Sequence, residues 1–355
     1  MRTSLGERLL DLAVSGFLWG FRVLIVAAIL IGTIATIRAG KYTGEQWLDF
    51  VIQGISQGSL YALIALGYTM VYGILRMINF AHGEIFMSGA FSAYFLATWL
   101  NTIGFIDAHP ILGLVIPILF AMLMAASIAM LVERIAYRPL REAPRLVPLI
   151  SAIGASYFLR YAFRGLFGPG VYAYPPIKAL DGQWNVFGIE VLKVQVVVAV
   201  AAFIMMAVLY SLVQFTKVGK AMRAVSEDKD TAALMGIDVN GIIVATFAIG
   251  AAMAGAAGVL NSLLFRQVTF NIGEVPGIKA FTSAVLGGIG NIPGAMVGGL
   301  VLGILESVGP SLFLEGLGIP RPYQLKDAIA YTMLVMILLF RPSGILGERL
   351  TKKKA

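Results

Sequence analysis

Apolar runs of about 20 residues recur along the whole of this sequence, and they limit the folds that the chain can adopt. A helix of about 20 apolar residues spans the ~30 Å hydrocarbon core of a bilayer. A water-soluble domain would instead alternate polar and apolar faces at helical or strand spacing. Hydrophobic residues make up 59% of the chain and charged residues only 13%. The sequence therefore predicts an all-α, polytopic membrane protein.

We predict about ten transmembrane or partly broken helices. They cover residues 17–37, 50–73, 84–100, 111–132, 149–167, 191–214, 239–262, 278–288, 294–314 and 325–340. The first apolar run is too long for a signal peptide and lacks a clear cleavage site, so we interpret it as a retained helix. The eighth is short and ends in glycines, so we expect a broken or partly re-entrant helix.

Three parts are expected along the chain: an N-terminal extension with an extra helix over 1–45, a membrane domain over 46–347, and a basic tail over 348–355. If the N-terminus is cytoplasmic, sixteen Lys and Arg residues belong to cytoplasmic gaps and Arg22 lies within the first helix. The other ten are assigned to the outer gaps: Arg38, Lys41, Arg160, Arg164, Lys178, Lys193, Arg266, Lys279, Arg321 and Lys326. The positive-inside rule then places both termini in the cytoplasm. The net charge of +8 reflects this topology, and we do not expect nucleic acid as a partner.

Several chemistries have no support in the sequence. The chain has no cysteine and two histidines, which excludes thiolate sites and a histidine-rich metal site. The motifs GxxxxGK[ST], GxSxG and HExxH do not occur, so the chain carries no signature of nucleotide hydrolysis or proteolysis. We therefore expect a protein that is not an enzyme and binds no cofactor.

Two polar breaks interrupt the apolar pattern. The first lies in GYTMVYGILRMINFAHGEIFMSGAF and contains Asn79, Ala81, His82, Gly83 and Glu84; the second lies in GGIGNIPGAMVGG and contains Gly287, Gly288, Asn291, Pro293 and Gly294. Polar groups are costly in lipid, so these residues should face protein, water or a passing solute. We interpret the breaks as a weak internal repeat near a translocation path. Alternatively, the small residues only allow helices to pack closely, which we favour for Gly298, Gly299 and Gly303.

Glu306 stands alone in the apolar run VGGLVLGILESVG. A buried carboxylate needs a partner or a wet cavity. Glu306 either lines the translocation path or makes a structural hydrogen bond near the outer end of the ninth helix. The sequence leaves both interpretations open.

A charged segment, KVGKAMRAVSEDKDTAALMGI over residues 217–237, separates two apolar runs. Ser226 is predicted to cap a short helix of about ten residues, with Glu227 and Asp228 at its N-terminal end and Gly236 closing it. Such a helix is marginal alone, so its small face of Ala232, Ala233 and Gly236 should pack against the membrane domain or another protein. The alternative is an ordinary solvated loop.

Together with AFTSAVLGGIGNIPGAMVGG and LLFRPSGILG, the first break and the charged segment resemble the permease subunits of branched-chain amino acid ABC transporters, in particular the LivH-type subunit. The resemblance covers about 47–347. It implies an ABC importer permease fold in a bacterial or archaeal cytoplasmic membrane. It also implies a second permease of LivM type, two cytoplasmic ATPase subunits that hold ATP and Mg, and an extracytoplasmic solute-binding protein.

Carried over residue by residue, the resemblance implies two groups of site residues. The ATPase-coupling loop would contain Gly219, Ala221, Glu227, Asp228, Ala232, Ala233 and Gly236, and both polar breaks would lie near the membrane path. The same machinery in related systems imports urea, short amides or other amino acids, so these substrates remain alternatives. An ion-coupled secondary transporter is an alternative of another class, with Glu306 as its plausible ion-binding acid.

Overall fold

The computed structural model describes residues 5–144, 146–186 and 189–347. Arg2, Arg145 and the predicted basic tail over 348–355 lie outside the described residues. Thirteen α-helices are described: α1 (Leu5–Ala39), α2 (Gly44–Leu75), α3 (His82–Thr102), α4 (Phe105–Ala108), α5 (Pro110–Val132), α6 (Leu146–Phe167), α7 (Lys193–Phe215), α8 (Lys217–Glu227), α9 (Lys229–Leu234), α10 (Val239–Phe265), α11 (Glu274–Gly287), α12 (Ile292–Gly309) and α13 (Lys326–Phe340).

Each of the ten predicted segments coincides with one of these helices, which confirms the all-α membrane fold. In the described part of the chain, eight helices are long and apolar enough to cross a membrane. The more polar α3 and the short α11 are not among them. With 14 residues, α11 is about 21 Å long at 1.5 Å per residue, shorter than the ~30 Å hydrocarbon core.

Two short antiparallel sheets, which the sequence did not predict, lie in the connections. One pairs β1 (Tyr172–Ala173) with β4 (Gln267–Val268). The other is a hairpin of β2 (Gln183–Val186) and β3 (Ile189–Leu192). They fold the long segment between α6 and α7 and tie it to the residues that follow α10.

The helix α2 forms the centre of the bundle, since nearly all of its residues from Gly54 to Leu75 are buried. Thr43 begins it with a capping box, in which Oγ1 accepts from the Gln46 amide and the Gln46 side chain accepts from the Thr43 amide. α12 runs antiparallel against it through facing glycines. A Cβ atom at Gly58 would lie 2.8 Å from the carbonyl oxygen of Gly299. The glycines of α12 therefore permit close helix packing, as predicted for Gly299 and Gly303.

The predicted gaps sort to opposite ends of the bundle. At one end, which we call the basic end, Arg76 donates to the Ser226 carbonyl at 3.5 Å and Arg141 donates to Asn240 at 2.6 Å. At the other end, Lys178 pairs with Asp107 at 2.5 Å, and Lys41 pairs with Glu315. The loops expected on one side of the membrane therefore share one end of the structure.

Two basic residues were assigned wrongly to the outer gaps. Arg160 lies within α6 and Lys279 lies within α11, where their side chains are 14% and 4% exposed and pair with carboxylates. Both already lay inside the predicted helices 149–167 and 278–288, but the charge count assigned them to the outer gaps, since their acidic partners lie on helices distant in sequence and gave no local reason to keep them within the membrane. Their removal from the outer gaps widens the difference in basic charge between the two ends.

Candidate functional site

The first polar break folds back into the bundle beside α2. α2 ends at Arg76, which has a left-handed backbone with φ of 55°, and α3 begins at His82. The His82 ring packs edge-on against Tyr68 at 4.8 Å, and its Nε2 lies 3.2 Å from the Ile64 carbonyl oxygen. This contact brings the first turn of α3 beside the middle of α2.

Asn79 and Ala81 shape this break. Both are buried, at 2% and 0% exposure. Asn79 Oδ1 accepts from the Ala81 amide at 3.1 Å and from the Tyr137 hydroxyl at 2.7 Å. The two residues therefore hold the chain as it turns into α3, and neither lines the cavity described next.

Glu84 belongs to an ion cluster that spans three helices. Its side chain is 2% exposed. Arg160 of α6 donates to Glu84 Oε1 from Nε at 3.0 Å and from Nη2 at 2.6 Å, and its Nη1 lies 3.0 Å from Glu274 Oε2 of α11. We call Glu84, Arg160 and Glu274 the cavity cluster. Sequence reasoning missed the last two, although an arginine inside the predicted helix 149–167 was a signal.

The cavity cluster borders a cavity of about 180 Å³. Beside the three charged residues and Ser156, the lining consists of rings, two isoleucines and glycines: Tyr68, Phe80, Tyr157, Phe281, Ile153, Ile278, Gly83, Gly273 and Gly277. A Cβ atom at Gly83 would lie 2.6 Å from the Gly273 carbonyl oxygen, so α3 and α11 can meet here only because of glycine. The cavity thus has a charged end and an apolar end, because Ile153 and Phe281 lie about two turns from Arg160 and Glu274 on the same helices.

The second polar break has different neighbours. Asn291 caps α12, since its Oδ1 accepts from the Gly294 amide at 2.9 Å, and its Nδ2 donates to the Leu346 carbonyl at 2.9 Å. The amides of Ile345 and Leu346 donate to Leu286 and Gly287 at 2.8 and 2.9 Å.

Glycine geometry completes this contact. Gly288 has a φ of +108°, and a Cβ atom there would lie 2.6 Å from Gly347 Cα. Gly287 and Gly294 approach each other closely, whereas Pro293 is exposed. The second break is therefore fastened to residues 343–347 at the basic end, and the structure does not bring it to the cavity.

Glu306 lies in a second buried ion cluster. Its two carboxylate oxygens lie 2.9 and 3.1 Å from Lys279 Nζ, and its Oε2 accepts from the Tyr61 hydroxyl at 2.9 Å. Lys279 also pairs with Asp327 at 2.7 Å. We call Lys279, Glu306, Asp327 and Tyr61 the lysine cluster; it links α11, α12, α13 and α2. Of the two interpretations of Glu306, the contacts favour the structural one.

The charged segment forms two helices, where one was predicted. Thr216 caps α8, and Asp228 caps α9 by accepting from the amides of Asp230 and Thr231 at 2.9 and 3.0 Å. The prediction that Ser226 caps was wrong, because Ser226 lies in the last turn of α8 and donates to the Arg223 carbonyl. The hydrogen bond from the Thr231 amide lowers the pKa of the Asp228 carboxyl, so Asp228 stays ionised as a cap.

Gly236 ends α9 as predicted. It has a φ of +82°. Its amide donates to the Ala233 carbonyl at 3.0 Å, and the Ile237 amide donates to the Ala232 carbonyl at 3.1 Å. These two bonds form a Schellman motif, which favours glycine at this position.

The predicted coupling residues face two ways. Gly219 and Ala232 are buried against the membrane domain, and Ala221 is half-buried. Glu227, Asp228, Ala233 and Gly236 are exposed. The predicted small face is therefore split, because Ala232 points away from Ala233 and Gly236.

Sequence reasoning also missed two apolar residues in the charged segment. Leu234 and Met235 are 88% and 78% exposed. They extend from the end of α9, next to Gly236. We call Ala233, Leu234, Met235 and Gly236 the tip.

Comparison with known proteins gives a consistent result. The family model described as "Branched-chain amino acid transport system / permease component" matches residues 50–338. The high-affinity branched-chain amino acid transport system permease protein BraD of Pseudomonas aeruginosa is 42% identical over 305 residues, which cover 85% of this chain and 96% of that protein. The corresponding LivH protein of Escherichia coli K12 is 42% identical over 312 residues, covering 86% and 97%.

A more distant relative carries the other permease name. The probable branched-chain amino acid transport permease protein LivM of Methanocaldococcus jannaschii is 27% identical over 323 residues, which cover 85% of this chain and 88% of that protein. No solved structure matches the chain.

Proposed function

Because this chain belongs to the branched-chain amino acid transport permease family, we propose that it is a membrane-spanning subunit of an ATP-driven importer of branched-chain amino acids. Its relatives named LivH and LivM support pairing with a second, LivM-type permease. The sequence contains no nucleotide-hydrolysis motif, so the energy comes from two ATPase subunits that hold ATP and Mg. A solute-binding protein outside the membrane delivers the substrate.

The observation that carries this proposal is the tip, which projects from a segment anchored to the membrane domain. Arg223 Nη1 donates to the Val213 carbonyl at 2.6 Å, and Met222 and Val225 are 4% and 1% exposed. Gly219 lies so close to the end of α7 that a Cβ atom would overlap the Val213 carbonyl oxygen. Force applied at the tip is therefore passed to α7 and α10 as a rigid-body movement.

The exposed side chains at the tip suit a protein partner. Full burial of a Leu or Met side chain stabilises a contact by roughly 1.5–3 kcal/mol. Leu234 and Met235 are largely exposed in the isolated chain, so a partner that buried them would gain this stabilisation. The tip lies at the basic end, which the positive-inside rule assigns to the cytoplasm, where the ATPase subunits bind.

Reconstitution of the complete system in proteoliposomes tests the proposal. We expect uptake of radiolabelled leucine that requires ATP and the ATPase subunits. Preferential uptake of urea or acetamide would show that the substrate is urea or a short amide and not a branched-chain amino acid. Uptake by this chain alone, driven by an ion gradient without ATP, would contradict the proposal.

A single substitution tests the role of the tip. Gly236→Arg places a large cation in a left-handed backbone position and beside the proposed partner surface, at a cost to the helix end of about 1 kcal/mol. We expect the variant to insert and bind the second permease, while leucine uptake per ATP hydrolysed falls at least tenfold. Lys220→Arg, an exposed substitution on α8 away from the tip, is the matched control. Wild-type uptake by Gly236→Arg would remove the tip from the coupling path.

A further inference from the structure

We propose that the cavity between α2, α3, α6 and α11 binds one free amino acid as a zwitterion on its way across the membrane. Glu84 and Glu274 face its ammonium group, Arg160 faces its carboxylate, and the apolar end of the cavity holds an aliphatic side chain. This inference rests on the proposed function and adds a binding site within the membrane domain.

The cavity cluster contains more negative than positive groups. One guanidinium lies between two carboxylates, Glu84 and Glu274. Glu84 Oε2 is buried, and in the described part of the chain it has no hydrogen-bond partner. A buried carboxylate oxygen without a donor is destabilising. An ammonium group carries three N–H donors and one positive charge, so it satisfies both needs of this site.

Arg160 has N–H groups available for the carboxylate of the ligand. A guanidinium has five N–H groups. Contacts to Glu84 and Glu274 use one each from Nε, Nη2 and Nη1. The two remaining N–H groups, on Nη1 and Nη2, suit a carboxylate, which guanidinium groups bind in paired geometry.

Two helix N-termini adjoin the cavity and stabilise the ionised acids of the cavity cluster, because Glu84 lies in the first turn of α3 and Glu274 is the first residue of α11. α3 begins at His82 and α11 begins at Glu274, and both starts adjoin the cavity. The N-terminal end of a helix carries a partial positive charge. Glycines at 83, 273 and 277 let both backbones approach the cavity.

The apolar end of the cavity matches an aliphatic side chain. Phe80, Ile153, Ile278 and Phe281 present apolar surface there. The volume of about 180 Å³ far exceeds the ~10–15 Å³ that one water requires. A small solute with one apolar end and one doubly charged end therefore fits this cavity.

Exposure shows where the cavity opens. Arg160 lies fourteen residues after the start of α6 and seven before its end at Phe167, about 21 Å and about 10 Å from the two ends at 1.5 Å per residue. Nevertheless, the Glu274 side chain is 48% exposed. A charge facing lipid at this depth costs several kcal/mol. We therefore place the opening of the cavity at Glu274, on a side that faces water or a protein partner and not lipid.

Ligand binding to the assembled complex tests the inference. The complex of this chain, the second permease and both ATPase subunits is placed in nanodiscs without the solute-binding protein. Binding of radiolabelled leucine is measured by scintillation proximity, with two competitors. Leucinamide lacks the carboxylate, and 4-methylpentanoate lacks the ammonium group. We expect saturable leucine binding that valine displaces and that neither competitor displaces at tenfold higher concentration.

Variants assign the binding to the cavity. Loss of one charge-assisted hydrogen bond, worth about 1.5–3 kcal/mol, corresponds to a Kd raised roughly 10- to 100-fold. We expect this for Glu84→Gln and for Glu274→Gln. Ile153→Trp fills the cavity and abolishes binding. Leu166→Trp, at a 75% exposed position of the same helix outside the cavity, leaves the Kd unchanged.

The outcomes separate the two proposals. If Glu84→Gln does not assemble, Glu274→Gln decides, because Glu274 is half-exposed and its loss leaves Arg160 paired with Glu84. Three results would each overturn the site. The first is displacement of leucine by leucinamide or 4-methylpentanoate, and the second is a Kd within twofold of wild type for Glu274→Gln and Ile153→Trp. The third is the absence of saturable leucine binding by the wild type. ATP-driven leucine import would then still stand. If the complete wild-type system does not import leucine, the proposed function falls, and the site falls with it.

Discussion

The cavity cluster and the lysine cluster use the same chemistry in two different ways. Each joins a basic residue to two acidic residues on separate helices of an apolar bundle. In the lysine cluster, Glu306 Oε1 and Asp327 Oδ1 have no hydrogen bond of good geometry among the described residues, but they lie 2.9 and 2.7 Å from Lys279 Nζ and are paired with its charge. The cavity cluster borders a cavity and leaves a buried Glu84 oxygen without a partner in the described residues. The difference lies in what surrounds the charges, so substitutions in the two clusters should affect different properties.

The largest effect should come from Lys279→Met. Removal of one partner of a buried ion pair costs about 3–5 kcal/mol, because it leaves an uncompensated charge. Here it leaves Glu306 and Asp327 together without a cation. We expect the variant to lose most of its monodisperse protein in detergent, measured by fluorescence-detected size exclusion. Leu166→Trp, an exposed change, is the control for expression. Normal yield and thermal stability for Lys279→Met would show that the lysine cluster is not structural.

Tyr61→Phe tests the same cluster more gently. The substitution removes the hydroxyl that donates to Glu306 Oε2 and keeps the ring. A hydrogen bond to a charged group is worth about 1.5–3 kcal/mol. We expect a lower midpoint of thermal unfolding and an unchanged KM for leucine uptake. Tyr210→Phe on α7 is the matched control, since Tyr210 is 36% exposed and lies outside both clusters and the cavity lining. A changed KM in Tyr61→Phe would connect the lysine cluster to the translocation path.

These clusters also mark the limit of what the sequence predicts. The ten helices and the position of both breaks follow from local patterns, because apolar runs, glycines and polar residues act over a few positions. The family assignment follows from motif order and is confirmed by the family match over residues 50–338. Gly236 was predicted correctly because a helix end is a local feature. Ion pairs between helices depend on three-dimensional packing, which a single sequence does not show. Arg160 and Lys279 were therefore assigned to the outer gaps, although each pairs with a carboxylate inside the bundle.

The charged segment shows the same limit within 21 residues. Its helical character was predicted, but its division at Asp228 was not, since Ser226 and Asp228 are both suitable caps. The choice depends on the packing of α8, which buries Met222 and Val225 and thereby extends α8 to Glu227. Burial also separates Ala232 from Ala233, a distinction that residue type cannot provide.

The smallest expected effects give the sharpest comparison, because the two clusters contain equivalent half-exposed acids. The Asp327 side chain is 42% exposed and the Glu274 side chain is 48% exposed, and each pairs with the basic residue of its cluster. A half-exposed ion pair contributes about 1 kcal/mol or less to stability. Asp327→Asn and Glu274→Gln should therefore both fold with thermal midpoints close to wild type. We expect only Glu274→Gln to raise the KM for leucine, by roughly tenfold, because an ammonium group that loses a charged partner loses about 1.4 kcal/mol or more. The measurement is the KM for uptake in proteoliposomes, with each variant's unfolding midpoint determined on the same preparation. Equal KM values for the two variants would mean that a free carboxylate beside a cavity does not distinguish a binding site from a structural ion pair in this bundle.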